Sequence, residues 1–266
     1  MLRLWQHFRM LLKIPSFLLI SLYLHCMTPV DKECGNYPEL YKQDDSWLFY
    51  NLAKFTQFNT WKIEGRTAKY IFTGDSIIDR WNALGEADGG YRWMTDANYT
   101  PTANTAIYGA TSCDLIERES SNVSAFKPEY IVTDGGGNDI LFRVNTQIVI
   151  RNVDSYIEIL RRANPDAKIV YLLIPPSFID FANYEKVSVN SSIKNTILNM
   201  SNACYVDLSG EIAENGIDGG ALKKEFSADG DKIHFSFNVY PILKAKIDSA
   251  FNNLPINGAE CSKITR

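Results

Sequence analysis

Three side chains of this 266-residue chain have the types that nucleophilic catalysis by a serine needs: Ser76, His234 and Asp231. Histidines occur only at positions 7, 25 and 234. His7 and His25 fall in an N-terminal targeting segment, which leaves His234 as the one imidazole of the remaining chain. It stands in Asp231-Lys232-Ile233-His234. A carboxylate three residues before a histidine can fold back onto its Nδ1, fix the tautomer and leave Nε2 free to take a serine proton. The plainer alternative is a solitary surface histidine beside an acidic loop. Ser76 ends Gly74-Asp75-Ser76, directly after the apolar run Lys69 to Thr73. A serine on a sharp strand-to-helix turn is held at a sheet edge with its hydroxyl exposed, which suits a nucleophile. Gly, Asp and Ser are equally at home in an ordinary turn.

The elements that must position these groups are legible from apolar patterning. Strands are expected at Lys69–Thr73, Asn104–Tyr108, Tyr130–Thr133, Lys168–Ile174 and Ala203–Val206. Helical spacing recurs from Ile77 to Leu84, after Thr111 or Ser112, from Val144 to Ala163, from Tyr184 to Met200 and from Pro241 to Asn252. Trp47 to Phe58 reads as a short helix in a lead-in segment. Five strands alternating with helices, two of them apolar throughout, predict an α/β domain. It should be a three-layer sandwich around a mostly parallel five-stranded sheet. In such sheets the site lies outside the carboxyl ends of the strands. Gly74-Asp75-Ser76, Gly109 and Gly136-Gly137-Asn138 all fall there.

A formal charge of -4 gives no reason to expect nucleic acid as a partner. Arg3, Arg9 and Lys13 precede an apolar run from Ile14 to Leu24, the pattern of a signal peptide or a retained N-terminal anchor over residues 1–26. Residues 27–67 form the lead-in, 68–255 the domain and 256–266 a tail. Either fate of the leader puts the domain outside the cytoplasm, secreted or periplasmic, or membrane-anchored and facing outward. Cys34 and Cys261, near the two ends, are expected to pair. Cys113 and Cys204 are expected at opposite ends of the sheet, free and buried. No Cys-x-x-Cys pair or His/Cys cluster suggests zinc, and no metal or other cofactor is expected. N-x-[ST] sequons stand at Asn98, Asn122, Asn190 and Asn199.

Four blocks in register resemble the SGNH (GDSL-type) hydrolase family. They are Phe72-Thr73-Gly74-Asp75-Ser76-Ile77 followed by Trp81, then Asn104 to Thr111, then Gly136-Gly137-Asn138-Asp139, then Asp231 to His234. Ala110 departs from the acidic residue usual in the second block. The resemblance spans about residues 68 to 250 and implies the flavodoxin-like SGNH architecture. It also implies roles. Ser76 would be the nucleophile, His234 the general base and acid, and Asp231 its orienting carboxylate. The Ser76 and Gly109 backbone N–H groups and the Asn138 amide would hold the oxyanion. Asp75 and Asp139 would support the site by hydrogen bonds. Trp81 could line an acyl pocket or pack in the core; Tyr108 could border the site, and Trp93 could face a sugar or lipid.

The implied activity is that of a serine esterase removing a short acyl group, acetyl above all, from an oxygen. An acylated carbohydrate or another small acyl ester would be the substrate. The second reading is a glycan O-acyltransferase on the same fold and site, differing only in whether water or a sugar hydroxyl resolves the acyl-enzyme. A third is a binding protein on an inherited fold. The patterning does not define an oligomeric state.

Overall fold

The computed structural model describes residues 56–81, 102–228, 231–253 and 259–261. The targeting segment, most of the lead-in, Trp93 and Asn98 lie outside them. Strands β1 (Tyr70–Thr73), β2 (Thr102–Asn104), β3 (Tyr130–Thr133), β4 (Lys168–Leu172), β5 (Ala203–Val206) and β6 (Ala259–Glu260) form one sheet in the order β2-β1-β3-β4-β5-β6. Every pairing is parallel. The expected architecture is therefore present, with one addition. The segment read as a tail returns as the two-residue strand β6 on the open edge of β5.

Both faces of the sheet are covered, which is why the strands read as continuous apolar runs and not as alternating ones. Ile71, Ile131, Ile169 and Ala203 stand side by side across four strands and face one core. Phe72, Val132, Val170 and Cys204 do the same on the other face. The first core is closed by α2 (Ser112–Asn122), α4 (Thr146–Ala163) and α5 (Asp180–Leu198). The second is closed by α1 (Ser76–Arg80), α6 (Ser209–Ile212) and α7 (Tyr240–Asn253). The short α3 (Gly137–Leu141) follows β3. On α4 the buried residues Val149, Val153, Tyr156, Ile157 and Leu160 recur at helical spacing. Burying one such aliphatic side chain contributes roughly 1.5–3 kcal/mol.

The chain leaves β1 toward β2 on one side and then crosses to β3 on the other. That reversal opens a crevice at the carboxyl ends of β1 and β3, where α/β sheets place their ligands. Ser76 follows β1 and Asn138 follows β3, so both stand at this switch point.

The cysteine expectations need correction. Cys204 bonds Cys261, with Cα atoms 5.3 Å apart. Cys204 is therefore not free, and Cys261 does not pair with Cys34. The cause is β6: it runs beside β5, and the Cys261 N–H donates to the Tyr205 carbonyl at 2.9 Å. Cys113 is also disulfide-bonded, not a free thiol. Two sequon asparagines, Asn122 and Asn190, are buried and closed to glycosylation.

Candidate active site

Ser76 is the first residue of α1, and the turn before it is built by two carboxylates. Asp75 caps the helix, its Oδ1 accepting from the Ile77 N–H at 2.9 Å. The Asp75 N–H donates to Asp134 Oδ1 at 2.7 Å. Gly74 sits between them at φ +136°, and a Cβ there would lie 1.8 Å from Asp134 Oδ1. Glycine is thus required on two grounds, backbone angle and space. The sequence signal for the turn was its glycine and serine; Asp134, which anchors the turn from β3, was missed.

His234 reaches the serine from the segment preceding α7. Its Nε2 lies 2.7 Å from Ser76 Oγ, and its Nδ1 lies 2.5 Å from Asp231 Oδ2. Asp231 Oδ1 accepts from the Ile233 and His234 N–H groups at 2.8 and 3.0 Å. The carboxylate therefore folds back along its own turn, as the Asp-x-x-His spacing suggests. Burial alone would raise its pKa. The hydrogen bonds from the imidazole and the two N–H groups outweigh that and hold Asp231 well below the usual carboxylate range. An ionised carboxylate on Nδ1 leaves Nε2 as the acceptor facing Ser76. Arg80 on α1, also missed in the sequence, adds its Nη1 at 3.1 Å from Asp231 Oδ2.

Asn138, the second residue of α3, is buried and donates through Nδ2 to the Ala110 carbonyl at 2.8 Å. An amide nitrogen carries two protons, so one remains for a ligand. Gly109, at φ +75°, lies between this carbonyl and Tyr108, whose ring centroid is 5.6 Å from that of His234. None of the described residues accepts from the Gly109 N–H. Asp139 is fully buried and accepts from the Ser112 N–H at 2.9 Å and from Ser112 Oγ at 2.6 Å. It thereby ties α3 to the start of α2, while Thr111 caps α2 in a capping box with Asp114.

Trp81 does not line the site. It is fully buried, edge-on to Phe72 at 5.6 Å and beside Tyr240 at 5.5 Å. One helical turn beyond Ile77 and Ile78, it shares their inward face. Instead, a cleft opens beside Ser76 and Asn138, walled by Ile140, Leu141, Ile174 and Pro175. Ser177, Asn183 and Lys186 line it as well.

A strand-turn serine hydrogen-bonded to a carboxylate-held imidazole, beside a free amide proton and a cleft, can perform acyl transfer. Comparison with known proteins agrees with that chemistry. Residues 72–240, well over half of the chain, match the model of the GDSL-like lipase/acylhydrolase family. The chain belongs to this family. It is an ester hydrolase of the GDSL (SGNH) type, with a three-layer α/β fold. No curated protein matches it in sequence. Among solved structures it is similar to a GDSL-like lipase from Bacteroides thetaiotaomicron, with 21% identity over 74% of this chain and 98% of the other, at a TM-score of 0.58. It is also similar to a catalytic mutant of Axe2, an acetylxylan esterase from Geobacillus stearothermophilus, with 20% identity over 68% of this chain and 92% of the other, at a TM-score of 0.51.

Proposed function

We propose that the protein is a serine esterase that removes short acyl groups, acetyl above all, from carbohydrate hydroxyls outside the cytoplasm. The observation that carries this reading is the continuous chain Ser76 Oγ···His234 Nε2 at 2.7 Å and His234 Nδ1···Asp231 Oδ2 at 2.5 Å. Ser76 Oγ attacks the ester carbonyl carbon as Nε2 takes its proton. The negative oxygen of the tetrahedral intermediate is held by the Ser76 and Gly109 N–H groups and the second Asn138 amide proton. His234 then gives its proton to the departing alkoxide, leaving an acyl-serine and a free alcohol. Water repeats the sequence: its proton goes to Nε2, its oxygen to the acyl carbon, and the proton returns to Ser76 as the carboxylic acid leaves.

A carbohydrate alcohol is supported by the likeness to an acetylxylan esterase. Placement outside the cytoplasm is supported by the N-terminal leader pattern and by the Cys204–Cys261 disulfide, since such bonds persist in oxidising compartments. Whether the leader is cleaved or retained as an anchor does not alter the chemistry. Purified protein should release p-nitrophenol from p-nitrophenyl acetate and acetate from acetylated xylo-oligosaccharides. A wild-type rate no higher than that of Ser76→Ala would overturn the esterase reading. Acyl transfer to a glycan acceptor exceeding acetate release would make the protein an O-acyltransferase instead.

A further inference from the structure

The cleft beside Ser76 holds a buried cation that the reaction does not use. Lys186 lies on α5 at a core-facing position, in step with Ala182, Val189 and Ile193, and is 1% exposed. Among the described residues its Nζ has no hydrogen-bond partner. The nearest carboxylate oxygen, Asp218 Oδ1, is 3.5 Å away, an ion-pair distance beyond the usual 2.7–2.9 Å of a charged hydrogen bond. Burial pushes the Lys186 ammonium below the ordinary lysine range, and Asp218 offsets only part of that. A methionine would fill the same volume without the cost of burying a charge. Lys186 lines the cleft together with Asn183 and Ser177.

The direction of the chemistry says which part of an ester enters this cleft. The leaving oxygen must face His234 Nε2 to take its proton, and the oxyanion must face Asn138. The cleft is lined by Ser76 and Asn138 but not by His234. It therefore receives the acyl side. We infer that, among acyl groups longer than acetyl, the preferred one carries an acceptor oxygen at its far end, and that Lys186 donates a hydrogen bond to it. This inference rests on the serine-esterase reading and narrows its substrate class.

Charge balance favours a neutral acceptor, a ketone or hydroxyl oxygen. Asp218 also stands 3.8 Å from Lys194, and Lys194 stands 3.0 Å from Asp207. Two cations and two carboxylates thus offset one another, and a neutral oxygen leaves that balance intact. A carboxylate would add a charge to a buried group already neutral as a whole.

Three ethyl esters of similar acyl length test this by acid release in a pH-stat: levulinate, with a ketone oxygen; hydrogen succinate, with a carboxylate; and pentanoate, with neither. Ethyl acetate is run alongside. A kcat/KM for levulinate roughly 10-fold or more above pentanoate supports the inference. Preference for succinate over both retains Lys186 as the donor and replaces the neutral acceptor by an anion. Pentanoate turned over as fast as the other two, with ethyl acetate hydrolysed, overturns it. Loss of ethyl acetate hydrolysis down to the Ser76→Ala level would sink the esterase reading instead. In Lys186→Met the levulinate-to-pentanoate ratio should fall to about one. Should that variant not fold, the wild-type ratio decides.

Discussion

Arg80 Nη1 lies 3.1 Å from Asp231 Oδ2, the same oxygen that holds His234 Nδ1 at 2.5 Å. Arg80 and Ser76 are four residues apart on the same short helix, so α1 carries the serine at one end and at the other grips the carboxylate that orients its base. The pair is partly exposed, with side chains 22% and 26% accessible, so its energy is modest. Arg80→Gln should lower kcat/KM roughly 2- to 5-fold. Steady-state kinetics on p-nitrophenyl acetate check this; an unchanged kcat/KM would show that the Arg80 contact to Asp231 does not support the site.

In the proposed mechanism the remaining Asn138 amide proton holds the oxyanion. Asn138→Ala should reduce kcat about 100- to 1,000-fold with KM changed little. Steady-state kinetics on p-nitrophenyl acetate read this out, with circular dichroism to verify folding. A loss below about 5-fold would remove Asn138 from the oxyanion site.

Asp75 and Asp134 form a buried acidic pair joined through the Asp75 N–H. Both carboxyls are pushed above the ordinary range, Asp134 strongly, by burial first and then, for Asp134, by the charge of Asp75. A folded pKa raised above the unfolded one contributes stability at acid pH. That stability is lost as pH rises from the ordinary carboxylate range through the raised value. Asn at position 134 keeps the acceptor for Asp75 and removes the ionisation. Denaturation midpoints measured from about pH 4 to about pH 8 should therefore favour Asp134→Asn increasingly over the wild type. A constant difference would mean that Asp134 is ionised throughout.

The Cys204–Cys261 bond closes a loop of 57 residues that contains Asp231, His234 and all of α7. Chain-entropy reasoning gives roughly 4 kcal/mol for a loop of this length. Cys261→Ser should lower the thermal midpoint by many degrees, yet leave kcat near wild type at temperatures where the protein is folded. Loss of activity without loss of stability would show that the bond shapes the site directly.

The parts of the site carried by local spacing were legible in the sequence. Asp231 and His234 are three residues apart, and the Ser76 turn is announced by its glycine. Asn138 sits in a glycine-flanked break after an apolar strand. The parts that depend on which strands become neighbours were not. Asp134 supports the Ser76 turn only because β3 lies beside β1. Lys186 looks like any helical lysine until its period is compared with Ala182 and Val189, a signal that was available. Strand β6 has two residues, too few for a pattern, and without it Cys261 had no visible reason to meet Cys204. Trp81, open between an acyl pocket and the core from sequence, goes to the core because its helical phase matches that of Ile77 and Ile78.

The most direct test of the central claim is covalent labelling. Purified protein treated with diisopropyl fluorophosphate should gain one diisopropylphosphoryl group, mapped by peptide mass spectrometry to Ser76. Esterase activity should fall in step with labelling, and both should be abolished in His234→Ala. An unlabelled Ser76 in folded protein, or a label on another residue while activity disappears, would contradict the assignment of Ser76 as the nucleophile.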